Sequence, residues 1–462
     1  MIECWLMKSR QYRQIDRSCI WHPYTKMSAL KEDFSVITRG KGIYLYDTDG
    51  NRWLDAVSSW WACALGHNHP RIVAAINRQA KKLQHSILGN MSHPPAIELA
   101  SMLTKLFPDG KRRVMFASDG ASAVEASLKI ALQYWHNIGK PEKNKFVSLE
   151  NAYHGDTLGA VSVGKLEQFH KQYEPLLFRV FRAESPCCGT CIHGRKPETC
   201  RLECFASMEN IFRKHSKQVA AVIVEPLCQG AAGMRIYSPK YLSKLAALCK
   251  KHNVLLIADE IAVGYGRTGK MFAFEHAKID PDIVCTGKAM SAGYLPISAT
   301  IVKEKIFRTF SDKPADHTFY HGHTFAGNPI ACAAAIETLK VYKQEKIVVK
   351  AGITGKLLAK EIEKLRNLPN VLDVRCLGMI GAVEFAGHKG IQLAQSIRKE
   401  LLKKRILIRP LGNVVYLMPP LVIPKGTIAK MVGLFRTAII ASHPSSSKDY
   451  AVAGCDALQH PH

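Results

Sequence analysis

The sequence predicts an α/β protein, with a large domain on a mainly parallel sheet followed by a smaller α+β domain. Three observations carry that prediction. Short apolar runs recur through the middle of the chain, with helical segments between them. Ser-Pro and Asn-Pro pairs mark helix starts between those runs. From about Val341 the texture changes to lysine-rich helical segments that lead into a few apolar pieces.

The apolar runs are residues 113–117, 145–149, 220–224, 254–258, 282–285 and 298–302. Runs this short, bounded by polar or Gly/Pro signals, fit strands buried on both faces. Residues 122–135 read as a helix directly after the first run. Ser238-Pro239 offers an N-cap with proline at the first helical position, opening a helix to about His252. Asn328-Pro329 repeats the signal before 330–343. Strands alternating with helices argue for a parallel sheet covered on both sides. Further apolar pieces lie at 371–384 and 414–418. The expected organisation is an N-terminal segment, 1–59, packing with the small domain; a large domain, 60–335; a small domain, 336–441; and a disordered tail, 442–462.

Of the 462 residues, 47% are apolar and 22% charged, which fits a globular enzyme and excludes a disordered chain. No stretch reaches the roughly 18 apolar residues that span a bilayer. The first residues lack the roughly 7–15-residue apolar core of a secretory signal. A cytoplasmic protein without a membrane partner is therefore expected. The net charge of +26 favours anionic partners. The basic residues are scattered and form no recognition motif, so no specific nucleic-acid binding is expected. Fourteen cysteines are too few for a disulfide scaffold, and reduced thiols are expected.

The chemistry begins at Asp259-Glu260, after the run 254–258. Ligands of open α/β sheets sit beyond the carboxyl ends of strands. An acid there faces a site, although loop or capping acids are the commoner case. The next run ends in Gly287-Lys288. A lysine among apolar runs is a candidate for a depressed pKa and can attack an aldehyde. Pyridoxal phosphate (PLP) needs such a pair: a lysine to hold its aldehyde carbon, and a carboxylate to keep its ring nitrogen protonated. Ser118-Asp119-Gly120-Ala121-Ser122, between a strand and a helix, offers backbone N–H groups to a phosphate. The same segment also reads as a plain N-cap turn.

With those residues, the chain resembles the class III PLP-dependent aminotransferases of fold type I. The shared segments include Trp21-His22-Pro23-Tyr24-Thr25, Ser58-Ser59-Trp60-Trp61, Tyr153-His154-Gly155-Asp156, Gly287-Lys288-Ala289, His321-Gly322-His323-Thr324, Ile408-Arg409-Pro410 and Tyr416-Leu417-Met418-Pro419-Pro420. Within the family it is most similar to the biotin-pathway members that aminate 8-amino-7-oxononanoate to 7,8-diaminononanoate. The resemblance implies Lys288 as the Schiff-base lysine and, with Tyr24, a catalytic residue. It implies Asp259 at the pyridine nitrogen, Tyr153 stacked on the ring, and Gly120 and Ala121 at the phosphate. Thr324 would reach the phosphate from the neighbouring subunit of a homodimer. Tyr24, Trp60, Tyr153, Lys288, His323, Arg409 and Tyr416 would bind substrate, with Arg409 on the keto acid's carboxylate. Asp156, Arg267 and Tyr416 would shape the amino-donor side.

Three positions depart from the family's pattern. Ala121 removes a hydroxyl common after the phosphate-loop glycine, though Ser122 is one residue away. Ala152 stands where glycine often precedes the stacked tyrosine. His323 replaces a proline common in users of S-adenosylmethionine, whereas Tyr416 is typical of them. The expected donor is S-adenosylmethionine, with lysine as the alternative. Another class III ω-aminotransferase, or a basic binding protein on the same fold, are the competing readings.

Cys187, Cys188, Cys191, Cys200 and Cys204 stand apart from this chemistry. Two pairs could ligate zinc, but the spacing between them is shorter than in a usual zinc ribbon. They are taken as a cysteine-rich surface insertion without catalytic role, and no metal ligand is assigned.

Overall fold

All six apolar runs of the middle region are strands of one sheet. In the computed structural model, residues 9–31, 34–108, 110–196, 198–311, 315–387 and 389–442 are described. The tail expected from residue 442 lies, after Ser442 itself, outside the described residues. The strands are β1 (Arg112–Ala117), β2 (Lys145–Leu149), β3 (Phe181–Ala183), β4 (Val219–Val224), β5 (Leu255–Asp259), β6 (Ile283–Thr286) and β7 (Ser298–Lys303). Their spatial order is β1-β7-β6-β5-β4-β2-β3. Strand β7 is antiparallel to both its neighbours. The remaining pairs are parallel. Strand β3 was not expected from the sequence, being only three residues with Arg182 at its centre.

Every residue of β4, β5 and β6 is buried. Helices cover both faces, so these strands read as continuous apolar runs rather than alternating ones. Alternate side chains still part to opposite faces. Leu255 and Ile257 pack with Val124 and Leu128 of the helix Gly120–Asn137. Leu256 and Ala258 join the larger core that continues into Val415 and Met431.

The helix starts stand where proline and its caps put them. Ser238 Oγ accepts the Lys240 N–H at 3.2 Å at the head of Pro239–Lys251. Asn328 Oδ1 accepts the Ile330 and Ala331 N–H groups at 3.0 and 3.1 Å at the head of Pro329–Gln344. In the C-terminal part, Val371–Leu377, Ile380–Phe385 and Val414–Leu417 form a three-stranded antiparallel sheet. Strand Arg52–Asp55 pairs in parallel with Ile406–Leu407. Ser58 Oγ donates to the Met418 carbonyl at 2.7 Å. These contacts tie the chain before residue 60 to the C-terminal part. Among the described residues, no helix is long and apolar enough to cross a membrane.

Candidate active site

The carboxyl ends of β4, β5 and β6 open onto one cleft of about 480 Å³, and each contributes one ionisable residue: Glu225, Asp259 and Lys288. Parallel pairing sets Asp259 beside Cys285, so Lys288 follows just past the end of the neighbouring strand. Lys288 opens a short 3-10 turn at φ 43°, a left-handed conformation that is costly for a non-glycine residue. Such strain persists where the surroundings over-determine it, commonly at functional sites. Burial lowers the Lys288 pKa, against the opposing pull of Asp259, Glu225 and Asp156. The Trp61 ring centroid lies 5.3 Å from Nζ. The result is a desolvated amine with reduced charge, suited to attack an aldehyde.

Asp259 is held from two sides. Its Oδ2 lies 2.7 Å from His154 Nδ1, and its Oδ1 accepts the Ile261 N–H at 3.1 Å. His154 is itself buried, and its Nε2 has no hydrogen-bond partner among the described residues. Glu225 accepts the Tyr153 N–H at 3.0 Å and the Gly230 N–H at 2.9 Å. Burial pushes its carboxyl up to about 7.

The phosphate-type cradle is also present. Asp119 caps the helix Gly120–Asn137, accepting from Ser122 N at 3.0 Å and Ser122 Oγ at 2.9 Å. The Ser122 hydroxyl is therefore engaged with its own cap and does not replace the one Ala121 lacks. Gly120 and Ala121 open this helix and line the cleft, and the first N–H groups of a helix have no intrahelical partner. A Cβ at Gly120 would meet Ile261 at 2.9 Å, and one at Gly155 (φ 123°) would meet the Ala121 methyl at 2.4 Å. Both glycines are required by this close approach.

A second group joins the cleft through Asp156. Tyr24 donates from its hydroxyl to Asp156 Oδ1, and Tyr153 does so to Oδ2 at 2.8 Å. Burial, then Asp156, pushes the Tyr24 phenol up to about 12. Tyr24 and Trp60 meet edge to face at 5.9 Å. The Arg409 guanidinium lies 4.2 Å from the Trp60 ring centroid and 5.6 Å from that of Tyr24. Arg409, Trp60 and Tyr24 thus form an apolar wall with one fixed cation.

Residues 58–61 form one turn of left-handed helix, with φ of 50°, 44°, 71° and 74°. The Trp61 N–H donates to the Val57 carbonyl at 2.9 Å, and Asp55 Oδ1 accepts the Ser59 N–H at 3.0 Å. This turn sends Trp60 to Arg409 and Trp61 to Lys288. Tyr416 is buried behind it and accepts the Trp61 indole N–H at 3.1 Å, so it supports the cleft rather than lining it. Arg267, fully buried, donates to the Pro419 carbonyl at 2.5 Å. His323 and Thr324 lie on a loop outside the cleft of their own chain, with Thr324 exposed. Sequence reasoning assigned no role to His154, Glu225 or Trp61. Glu225 follows the run 220–224, and the strand-end argument used for Asp259 applies to it equally.

The sequence profile of the family described as Aminotransferase class-III matches residues 27–439. The chain belongs to the class-III aminotransferases. Among members of that family, it is 40% identical over 450 residues to the adenosylmethionine-8-amino-7-oxononanoate aminotransferase of Nitratidesulfovibrio vulgaris, covering 95% of this chain and 83% of that one. The enzyme of the same description from Staphylococcus aureus is 39% identical over 442 residues, covering 93% and 98%. The crystal structure of the Methanocaldococcus jannaschii enzyme of that description superposes with a TM-score of 0.88 at 37% identity, covering 94% and 99%. An ω-transaminase from Pseudomonas jessenii, solved in complex with PMP, superposes with a TM-score of 0.88 at 29% identity, covering 93% and 98%. The fold expected from the sequence is thus the fold of this class-III aminotransferase.

Proposed function

We propose that this aminotransferase uses PLP to convert 8-amino-7-oxononanoate to 7,8-diaminononanoate, with S-adenosylmethionine as amino donor. The observation that carries the reading is the placement of Lys288 and Asp259 at adjacent strand ends, beside an apolar wall that ends in Arg409. The cleft's own features fit the cofactor. Gly120 and Ala121 offer the N–H groups of a helix N-terminus where a side chain on Gly120 would clash, which suits a phosphate. Asp259 is a buried carboxylate with a fixed orientation, which suits a ring nitrogen. Tyr153 supplies an aromatic face.

When bound, PLP supplies an electrophilic carbon and a ring that accepts electrons. The protein supplies the rest. Lys288 Nζ, kept from full charge by burial, holds the cofactor and takes up the proton from the amine-bearing carbon of the donor. His154 fixes the Asp259 carboxylate. Arg409 binds the carboxylate of the keto acid through its planar fork. Trp60 and Tyr24 line the aliphatic chain and exclude water from it. Thr324, exposed on its own chain beside Phe325 (65% exposed), supports a homodimer in which it reaches the partner's phosphate site.

His323 leaves lysine as a second donor reading. The test is a half-reaction without keto acid. S-adenosylmethionine is expected to convert the bound cofactor to its amine form, and subsequent 8-amino-7-oxononanoate to restore it with formation of 7,8-diaminononanoate. Conversion by lysine alone overturns the donor. Failure to form the diamine with either donor overturns the substrate.

A further inference from the structure

Residues 184–196 and 198–202, between β3 and the 3-10 turn Glu203–Phe205, have no regular secondary structure. Loops beyond about 12–15 residues with no structure of their own are uncommon in folded domains. This one is organised around its cysteines. Both pairs, Cys188 with Cys191 and Cys200 with Cys204, line a single small cavity of about 30 Å³. The spacing in sequence suggests a surface insertion, but the fold places both pairs around one cavity. We propose that these four cysteines form a structural zinc site, a centre separate from the catalytic cleft.

Independent features point to a ligand there. Tyr241 lines the same cavity with no exposed surface, and its hydroxyl has no hydrogen-bond partner among the described residues. A buried hydroxyl is rarely left unpaired. A thiolate sulfur on a metal is an acceptor that would satisfy it. Backbone N–H groups already point at the sulfurs: Leu202 N–H donates to Cys200 Sγ at 3.4 Å, and Ser238 N–H to Cys188 Sγ. Leu202 is left-handed, at φ 64°, and turns the chain so that Cys204 returns towards Cys200. The Cys188 N–H donates to the Ile236 carbonyl at 3.0 Å, which pins the first pair to the body of the protein. Lys196 lines the cavity and offsets part of the negative charge of a zinc tetrathiolate; Arg195, also in the lining, is paired with Glu203 at 2.8 Å.

Four soft sulfur donors select zinc among common cations, in tetrahedral geometry. His193 is engaged with Glu184 at 2.7 Å, so the ligand set is sulfur alone. Among the described residues, no group of three His, Cys, Asp or Glu has the side-chain geometry to hold a metal without rearrangement. Cysteine has a single side-chain torsion, so an entering ion can reorient its ligands by rotation about Cα–Cβ.

Elemental analysis of the purified, desalted full chain tests the proposal. About one zinc per chain is expected, lost to a strong chelator together with a gain in reactive thiols. Cobalt(II) exchanged into the wild-type protein is expected to show the visible bands of tetrahedral thiolate coordination. The paired substitution Cys188→Ala with Cys191→Ala is expected to drop zinc below about a tenth of an equivalent. Should that variant not fold, the chelator and cobalt measurements on the wild type still decide. Zinc below about a tenth of an equivalent in a wild type that takes up no cobalt overturns the proposal. So do disulfides among these cysteines by mass spectrometry, iron with labile sulfide in place of zinc, or full zinc retention in a folded paired variant.

Discussion

His154 and Asp259 face each other with both side chains buried, His154 Nδ1 lying 2.7 Å from Asp259 Oδ2. The Ile261 N–H holds the other oxygen, so the carboxylate has one orientation. Groups that orient a chemically active partner are typically worth about 10–100-fold in activity. His154→Ala is expected to lower turnover by about that factor, with Asp259 still in place. Asp259→Asn, which removes the charge itself, is expected to cost more. Steady-state kinetics on both variants decide the order; equal turnover in His154→Ala and wild type would reduce the contact to packing.

Lys288 links the chemistry to pH. Burial lowers its pKa in the folded chain. Between the folded value and the ordinary 10.5, the unfolded chain binds more protons, so stability rises with pH across that window. Below the window the cost of burying the charge is fully present. Lys288→Met has no such term. The expectation is that wild-type protein without cofactor gains in Tm on the methionine variant as the pH is raised from neutral towards about 10.5. Turnover in the variant is expected to fall by at least about 10²–10⁴-fold from loss of the base alone.

The parts of this site that depend on strand ends were legible in the sequence. Asp259 and Lys288 follow apolar runs whose length and boundaries define buried parallel strands, and ligands gather beyond such ends. Glu225 obeys the same rule. The turn at Ser58–Trp61 was not legible. Its four residues include no glycine to announce positive φ; the conformation is imposed by Asp55, just ahead of the turn, together with Met418 and Tyr416, more than 350 residues away. Tyr416 reads from sequence as a pocket residue, yet its hydroxyl reaches the Trp61 indole from behind. Thr324 lies outside its own chain's cleft.

Arg409 sits over two aromatic rings, so its charge and its flat shape both contribute. Arg409→Lys keeps the charge and loses the fork and the stacking. Hydrogen bonds between charged partners are worth about 1.5–3 kcal/mol, so KM for the keto acid is expected to rise by about 10–100-fold with a smaller change in kcat. Trp60→Ala removes the ring beneath the guanidinium, worth about 0.5–2 kcal/mol, and is expected to raise KM by about 2–30-fold. A fall in kcat alone would place Arg409 in the chemical step instead.

Ser59, at φ 44°, tests the left-handed turn directly. Glycine relieves about 1–2 kcal/mol of backbone cost there. The same substitution loses the Ser59 Oγ bond to Asp55 Oδ2 at 2.8 Å, a contribution of about 1 kcal/mol. Ser59→Gly is therefore expected to change urea stability by less than about 1 kcal/mol. Ser59→Val keeps neither the bond nor the tolerance, since a β-branched residue is disfavoured at positive φ. It is expected to lose more than about 2 kcal/mol and to reduce turnover, because Trp60 and Trp61 move with the turn.

Asp55 holds that turn, and His67 holds Asp55. The carboxylate accepts the Val57 and Ser59 N–H groups at 3.2 and 3.0 Å on Oδ1, while His67 Nε2 lies 2.9 Å from Oδ2. Burial works to lower the His67 pKa, but the bonds to Asp55 and Cys63 outweigh it and raise it to about 9. A histidine raised from 6.5 contributes stability that is fully present below 6.5 and lost as the pH climbs through about 9. With solvent screening of this part-exposed ring allowed for, the contribution is about 1–2 kcal/mol. His67→Gln is expected to lose that amount in urea unfolding near pH 6 and almost none near about pH 10. A pH-independent loss would mean that His67 acts by packing, and that the turn carrying Trp60 and Trp61 does not depend on its charge.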